Sequence, residues 1–127
     1  MPSDRTMILV VEDDPDIRAM LRMALERAGY APTLVGTGQA ALHALATGVY
    51  AALLTDLQLP DMSGADLLRL ARQHPCPPTV LMSGQSWESL EQAGWDLPIA
   101  GFLAKPFALT VLHELLDHVL TAPLLAA

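Results

Sequence analysis

The chain of 127 residues contains a single cysteine, Cys76, which excludes an internal disulfide and a cysteine-based metal cluster. Lysine and arginine number only seven against fourteen acidic residues, so the net charge is −7. Nucleic acid and anionic membrane surfaces require clustered positive charge, and we therefore expect neither as a partner. The acidic balance is compatible instead with a bound cation and with a basic partner surface.

Long hydrophobic runs are also absent, since no segment approaches the ~18 consecutive apolar residues of a membrane-spanning helix. The N-terminus lacks the charged and then apolar regions of a secretory signal peptide. Aromatic residues make up only 5% of a chain that is 52% hydrophobic, so the core is expected to be aliphatic. We expect a soluble cytoplasmic protein with one domain over residues 7–121 and terminal tails at 1–6 and 122–127.

Short apolar runs alternate along the chain with longer segments of helical period. We predict strands over residues 7–11, 31–35, 51–55, 79–83 and 101–104. The helices between and after them are predicted from Pro15 to Gly29, up to Gly48, and over 65–72, 87–93 and 109–120. Strands that are apolar throughout are buried on both faces, which predicts a doubly wound α/β fold with helices on both sides of a parallel sheet.

Polar side chains follow four of these predicted strands at the point where each strand ends. Glu12 and Asp13 follow the first strand, Asp56 the third and Lys105 the fifth, while Ser83 ends the fourth. Ligands of such sheets bind at the carboxyl ends of the strands, so these side chains are expected to converge there. Their joint placement at one edge favours a functional site over four unrelated surface turns.

A carboxylate can accept a phosphoryl group and form an acyl phosphate. The attack brings anionic oxygens together, and it therefore needs a hard cation and a lysine nearby. Mg²⁺ prefers oxygen ligands in an octahedron. We expect Glu12, Asp13 and Asp56 to hold Mg²⁺, and Lys105 to pair first with Asp56 and then with a phosphoryl oxygen. The Ser83 hydroxyl is placed to donate to the same group.

Four segments carry a resemblance to a known family. They are ILVVEDD at 8–14, TDLQLPDMSG at 55–64, VLMSG at 80–84 and FLAKPF at 102–107. In this order and spacing they resemble the receiver domain of response regulators in two-component signalling, over about residues 7 to 121. The resemblance implies a flavodoxin-like (βα)5 fold with five parallel strands in the order 2-1-3-4-5.

The resemblance also implies a role for each residue near the phosphoacceptor. Asp56 would accept the phosphoryl group from a sensor histidine kinase or a phosphotransfer protein. Glu12 and Asp13 would hold Mg²⁺ together with Asp56 and the main-chain carbonyl of Gln58. Such a domain phosphorylates and dephosphorylates itself, so no separate turnover enzyme is expected.

Further residues would transmit the signal, again by resemblance. Ser83 would move toward the phosphoryl group, and Phe102 would be the aromatic switch residue, with a ring but no hydroxyl. Lys105 would be joined to Pro106 by a cis bond. The output would leave through the face of the fourth helix, fifth strand and fifth helix, to a downstream protein or a homodimer.

The chain departs from the family pattern before the fifth strand. The segment AGWDLPI at 93–99 places Ala-Gly early and adds Pro98, which predicts a shortened or distorted fourth helix. Trp87 and Trp95 flank this region. Two interpretations stay open, since the tryptophans would either anchor a partner or fill the gap left by a short helix.

Three other functions compete with phosphotransfer. Residues 36–41 fit the dinucleotide-binding pattern G-x-G-x-x-A after a strand. A phosphatase of the haloacid dehalogenase type uses a similar residue set, but it needs a second aspartate where Gln58 stands. A receiver-like module that is never phosphorylated is the third alternative, and retention of all the site residues argues against it.

Overall fold

The structure, a computed structural model, describes residues 5–126, and their side chains as far as residue 121. Its strands are β1 (Met7–Val11), β2 (Ala31–Val35), β3 (Ala52–Asp56), β4 (Thr79–Ser83) and β5 (Gly101–Ala104). Its helices are α1 (Pro15–Arg27), α2 (Gly38–Thr47), α3 (Gly64–Ala71), α4 (Trp87–Gln92) and α5 (Leu109–Ala126). The strands form one parallel sheet in the order β2-β1-β3-β4-β5, which confirms the flavodoxin-like (βα)5 fold.

The sheet has a hydrophobic core on each face because successive side chains of a strand point to opposite sides. Ile8 and Val10 of β1 face α1 and α5, whereas Leu9 and Val11 face α2 and α3. The central strands β1, β3 and β4 are almost wholly buried, and the edge strand β2 is half-buried. This two-sided burial explains why the strand sequences are continuously apolar.

Four helices begin at residues whose side chains cap their first turn. Asp14, Thr37, Ser63 and Ser86 each accept a hydrogen bond from a backbone N–H of α1, α2, α3 or α4 respectively. Short polar side chains are favoured here because the first N–H groups of a helix have no partner within it. Each cap follows a strand, so it fixes a helix start at the carboxyl edge of the sheet.

Several element boundaries differ from those predicted, including the start of β3 at Ala52 and the end of α4 at Gln92. Strand β3 includes Asp56 itself, whose backbone pairs with Met82 of β4. Helix α3 begins at Gly64 and ends at Ala71, because the Ser63 cap sets its start one residue earlier. Helix α5 continues past the predicted end at residue 120 to Ala126. Leucine and alanine, which are strong helix formers, supply four of the five residues 122–126, and Pro123 is the fifth.

The predicted terminal tails are only partly covered by the structure. The backbone of 122–126 is helical, and residues 1–4 and 127 of the predicted tails lie outside the described residues. Among the described helices, none combines the length and the hydropathy that crossing a membrane demands. The predicted domain limits at residues 7 and 121 stay a prediction.

Helix α4 is only six residues long, as the departure from the family pattern predicted. Gly94 ends it with a φ of +91°, a backbone conformation that favours glycine. The chain then runs without regular structure to β5, and Trp95, Leu97 and Ile99 pack on the core between the sheet, α2 and α3. Irregular chain thus covers the area that a longer helix would occupy.

Candidate functional site

One lysine joins the ends of three strands at the carboxyl edge of the sheet. The Lys105 ammonium, just beyond β5, donates to Glu12 Oε1 after β1 at 2.6 Å. It also donates to Asp56 Oδ2 at the end of β3, at 2.9 Å. The side chains that the sequence placed at separate strand ends therefore meet, and the peptide bond between Lys105 and Pro106 is cis.

Three carboxylates form the acidic part of this site. Glu12, Asp13 and Asp56 each place an oxygen so that the three atoms lie within 4.8 Å of one another. Glu12 is buried, Asp56 keeps 14% of its side chain exposed, and Asp13 is exposed to solvent. This set of hard oxygen donors, open on one side, fits Mg²⁺, which binds through a few carboxylates and retains several waters.

The charges of this cluster shift one another's protonation. Burial raises the pKa of Glu12, and the hydrogen bonds from Lys105 and from the Asp14 amide offset only part of that rise. Burial by itself would lower the pKa of Lys105, but its bonds to Glu12 and Asp56 outweigh burial and raise it. Lys105 therefore stays positively charged over the physiological range.

The backbone of the acidic pair is held by α1. Arg18 Nη1 donates to the carbonyl oxygens of Glu12 and Asp13, at 2.8 and 3.0 Å, and the Asp14 amide donates to Glu12 Oε2 at 3.1 Å. These bonds fix the direction in which the two carboxylates leave β1. The sequence interpretation missed Arg18, and its only signal was a cation in the first turn after the acidic run.

The carboxylates open into a cleft of about 510 Å³ whose lining includes Asp13, Asp56, Gln58, Ser83 and Lys105. Ser83 is buried at the end of β4, and its hydroxyl oxygen accepts from the Gln85 amide at 2.9 Å. Its carbonyl accepts from the Lys105 amide at 2.7 Å, which ties the β4 end to the lysine. Ser83 and Gln58 thus border the same space as the charged cluster.

The chain that leaves Asp56 turns back closely against the start of α3. The Gly64 amide donates to the Leu57 carbonyl at 2.5 Å. A Cβ atom on Gly64 would lie 2.6 Å from the Asp56 carbonyl oxygen and 3.0 Å from Leu57 Cα, so only glycine fits. The amide of Gln58, which is exposed at the cleft, lies 3.5 Å from Asp56 Oδ1. Gly64 therefore shapes the turn that presents Gln58 to the site.

The predicted switch residue Phe102 lies outside this cleft, half-buried on β5. Its ring packs against Trp87 with centroids 5.5 Å apart, and Trp87 in turn contacts Trp95 edge to face at 6.5 Å. The Trp95 indole donates to the Leu97 carbonyl at 2.7 Å. Because both indoles are half-buried in contacts within the chain, the structure favours gap filling for these tryptophans over partner anchoring.

The dinucleotide pattern at 36–41 serves a different purpose. The first amides of α2, where a pyrophosphate would bind, donate to the Asp61 carboxylate, from Gly38 at 2.8 Å and from Gln39 at 2.9 Å. Met62 packs where a Cβ on Gly38 would lie, 2.5 Å from its sulfur. The protein's own anion and side chain occupy this position, so the match does not mark a nucleotide site.

Comparison with known proteins agrees with this geometry. The family model of the response regulator receiver domain matches residues 8–117. The chain is 33% identical over 120 residues to the transcriptional activator protein PfeR of Pseudomonas aeruginosa, an alignment that covers 94% of this chain and 39% of PfeR. The chain thus spans about two-fifths of the length of the curated relatives it matches.

Solved structures resemble the whole fold. A sensor protein from Polaromonas sp. JS666 is 31% identical with a TM-score of 0.84, over 93% of this chain and 98% of that one. The receiver domain of a sensor histidine kinase from Pseudomonas aeruginosa, solved with magnesium in its active site cleft, is 26% identical with a TM-score of 0.84, over 91% and 98%. The chain belongs to the receiver domains of response regulators in two-component systems.

Proposed function

We propose that Asp56 accepts a phosphoryl group from a histidine kinase or a phosphotransfer protein in a Mg²⁺-dependent reaction. The observation that carries this proposal is the contact of Lys105 with both Asp56 and Glu12, inside a cluster of three carboxylates. An acidic cluster with one lysine at its centre suits an incoming phosphoryl group and its counter-cation. Family membership favours this function over the haloacid dehalogenase alternative.

In the transfer, an Asp56 oxygen forms a bond to phosphorus while the bond from phosphorus to the donor's imidazole nitrogen breaks. Glu12, Asp13, Asp56 and the Gln58 carbonyl would hold Mg²⁺, which supplies positive charge against the crowded anionic oxygens. Lys105 is already within 2.9 Å of Asp56 and would follow the new phosphoryl oxygens. The product is an acyl phosphate at the end of β3.

The conformational switch would begin because the new phosphoryl oxygens in the cleft need hydrogen-bond donors. Ser83 has its hydroxyl oxygen occupied by the Gln85 amide, but its hydrogen is free to donate to a phosphoryl oxygen. Movement of Ser83 would open space that Phe102 enters, and Phe102 would then leave Trp87. The changed surface would be the face of α4, β5 and α5, where a downstream protein or a second copy binds. We propose that the phosphoryl transfer and the binding of the partner take place in the cytoplasm.

The phosphoacceptor is tested by intact mass measurement after incubation with Mg²⁺ and a small acyl-phosphate donor. We expect one phosphoryl adduct on the wild-type protein, labile to hydroxylamine and absent from Asp56→Asn. Ser83→Ala is the matched control, because it alters the same cleft but leaves the acceptor, and it should still form the adduct. A hydroxylamine-resistant adduct would mean that the acceptor is not a carboxylate and would overturn the role of Asp56. No adduct on the wild type would favour an interaction module that is never phosphorylated.

The switch is tested by the fluorescence of Trp87. The chain has only two tryptophans, so Trp95→Phe leaves Trp87 as the single reporter next to Phe102. We expect its emission to change on phosphorylation of that variant, because the ring that covers it moves. The change should be lost when Ser83→Ala is added, although the adduct still forms. Unchanged emission at full phosphorylation would contradict the role proposed for Phe102.

A further inference from the structure

The loop from β3 to α3, residues 57–63, is tied to the beginning of α2 by one carboxylate. Asp61 accepts two hydrogen bonds, one on each oxygen, from the Gly38 and Gln39 amides. These amides belong to the first turn of α2, where N–H groups lack partners and the helix dipole favours an anion. The two bonds lower the pKa of Asp61, so the tie carries a full negative charge at neutral pH.

A second contact joins the same two elements. A Cβ atom on Gly38 would lie 2.5 Å from both Cγ and Sδ of Met62, so the Met62 side chain packs directly against the helix backbone. Asp61 and Met62 are consecutive, and both therefore hold the loop against one turn of α2. A carboxylate alone on an exposed surface would give a weaker constraint than this combination of two hydrogen bonds and close packing.

The constraint reaches the cleft through the backbone of the loop. The Leu59 amide donates to the Met62 carbonyl at 3.1 Å, and Gln58 pairs with Ser63 in an isolated antiparallel bridge. The residues that leave Asp56 are thus hydrogen-bonded to the residues that α2 holds. Gln58 and Leu59 also line the cleft, so any displacement at Asp61 is passed to the wall of the site.

We infer that Asp61 is a positioning residue that sets the Gln58 carbonyl for the metal, through the loop that it ties to α2. This inference rests on the proposed function, in which the Gln58 carbonyl is a Mg²⁺ ligand. Mg²⁺ demands near-ideal octahedral geometry, and a ligand carried by an untethered loop would meet that demand less often. Groups that hold a ligand from behind tune metal affinity without touching the ion.

The test is a calorimetric titration of the unphosphorylated protein with Mg²⁺ alone. We expect Asp61→Ala to weaken binding about tenfold, the lower end of what loss of a ligand-supporting group costs. Asp61→Asn should weaken it less, because the amide oxygen still accepts one bond. Gly38→Ala, which displaces Met62 from the other side of the contact, should weaken Mg²⁺ binding as well. This variant provides a second test if Asp61→Ala folds poorly.

The control is Thr37→Ala, which removes the other cap of α2. The Thr37 hydroxyl oxygen accepts from the Ala40 amide in the same helical turn and makes no bond to the loop. Mg²⁺ affinity should stay at the wild-type level in this variant, and the amide resonances of residues 57–59 should stay in place, whereas both change in Asp61→Ala.

Each other outcome identifies which idea fails. Equal Mg²⁺ affinity for Asp61→Ala and the wild type would overturn the positioning role while the proposed function stands. Equal losses in Thr37→Ala and Asp61→Ala would also overturn it, because simple fraying of α2 would then explain both. No Mg²⁺ binding by the wild-type protein would overturn the proposed function and this inference with it.

Discussion

Two regions of the molecule are built by different means. At the acidic site, Lys105 connects the ends of β1, β3 and β5 through short hydrogen bonds to Glu12 and Asp56. In the segment between β4 and β5, residues 84–100, a six-residue helix is followed by irregular chain. The first region depends on contacts between distant parts of the sequence, and the second depends on aromatic packing and single hydrogen bonds.

Two arginines at the end of α3 make surface contacts with the second region. Arg72 donates to the Pro98 carbonyl, and Arg69 lies 3.8 Å from Asp96, whose side chain is 78% exposed. Exposed ion pairs of this kind contribute at most about 1 kcal/mol. The segment is therefore easier to rearrange than the site, as the proposed switch requires.

The largest expected effect compares one leucine in each region. Leu53 is fully buried in the centre of the sheet, whereas Leu97 is half-buried on the irregular segment. Leu53→Ala should lower the free energy of unfolding by about 3 kcal/mol, because it leaves a cavity in rigid surroundings. Leu97→Ala should lower it by about 1 kcal/mol, because the neighbouring chain relaxes into the space. Urea denaturation of both variants measures the difference.

Equal losses for the two variants would contradict the comparison. They would mean that the segment 84–100 is packed as rigidly as the central sheet. The slope of the unfolding curve should be the same for both variants, since neither substitution changes the surface exposed on unfolding by much.

The site was largely predictable from the sequence because its residues occupy a position that pattern alone defines. Glu12, Asp56 and Lys105 each lie at or just beyond the end of an apolar strand, and in a parallel sheet all such ends share one edge. Once the strands are recognised, the topology of the sheet brings these three side chains together. The spacing of the motifs then identifies the family. The core was predictable as well, because the apolar positions that the sequence pattern marks are the ones that the fold buries.

The supporting contacts were not predictable. Arg18 reaches two carbonyl oxygens and Asp61 reaches two amides, and no local pattern marks which backbone groups a side chain will find. The glycine at position 38 suggested a phosphate-binding loop, yet it admits a methionine side chain. The course of residues 93–100 depends on how two tryptophans pack, which propensity and periodicity do not specify.

A smaller effect compares Lys105 of the site with Arg69, a cation of α3 that contacts the segment 84–100 through Asp96. Lys105→Met keeps most of the aliphatic stem but leaves the buried Glu12 carboxylate beside Asp56 without a positive partner. Without Mg²⁺ we expect a loss of about 2 kcal/mol, below the cost of breaking a fully buried pair because Lys105 is 21% exposed. Arg69→Met, which removes an exposed cation paired with Asp66, should change stability by less than about 0.5 kcal/mol.

The pH dependence of the Lys105→Met loss tests its cause. Burial already raises the pKa of Glu12 above 4.5, and removing the Lys105 ammonium should raise it further. A carboxyl whose pKa is higher in the folded than in the unfolded state destabilises the fold above the unfolded value, and this penalty shrinks as pH falls toward that value. Denaturation with a chelator present should therefore show a smaller loss at about pH 5 than at about pH 7. An equal loss at both pH values would mean that the effect comes from packing of the lysine stem. The site would then depend on side-chain packing, as the segment 84–100 does, and not on its charges.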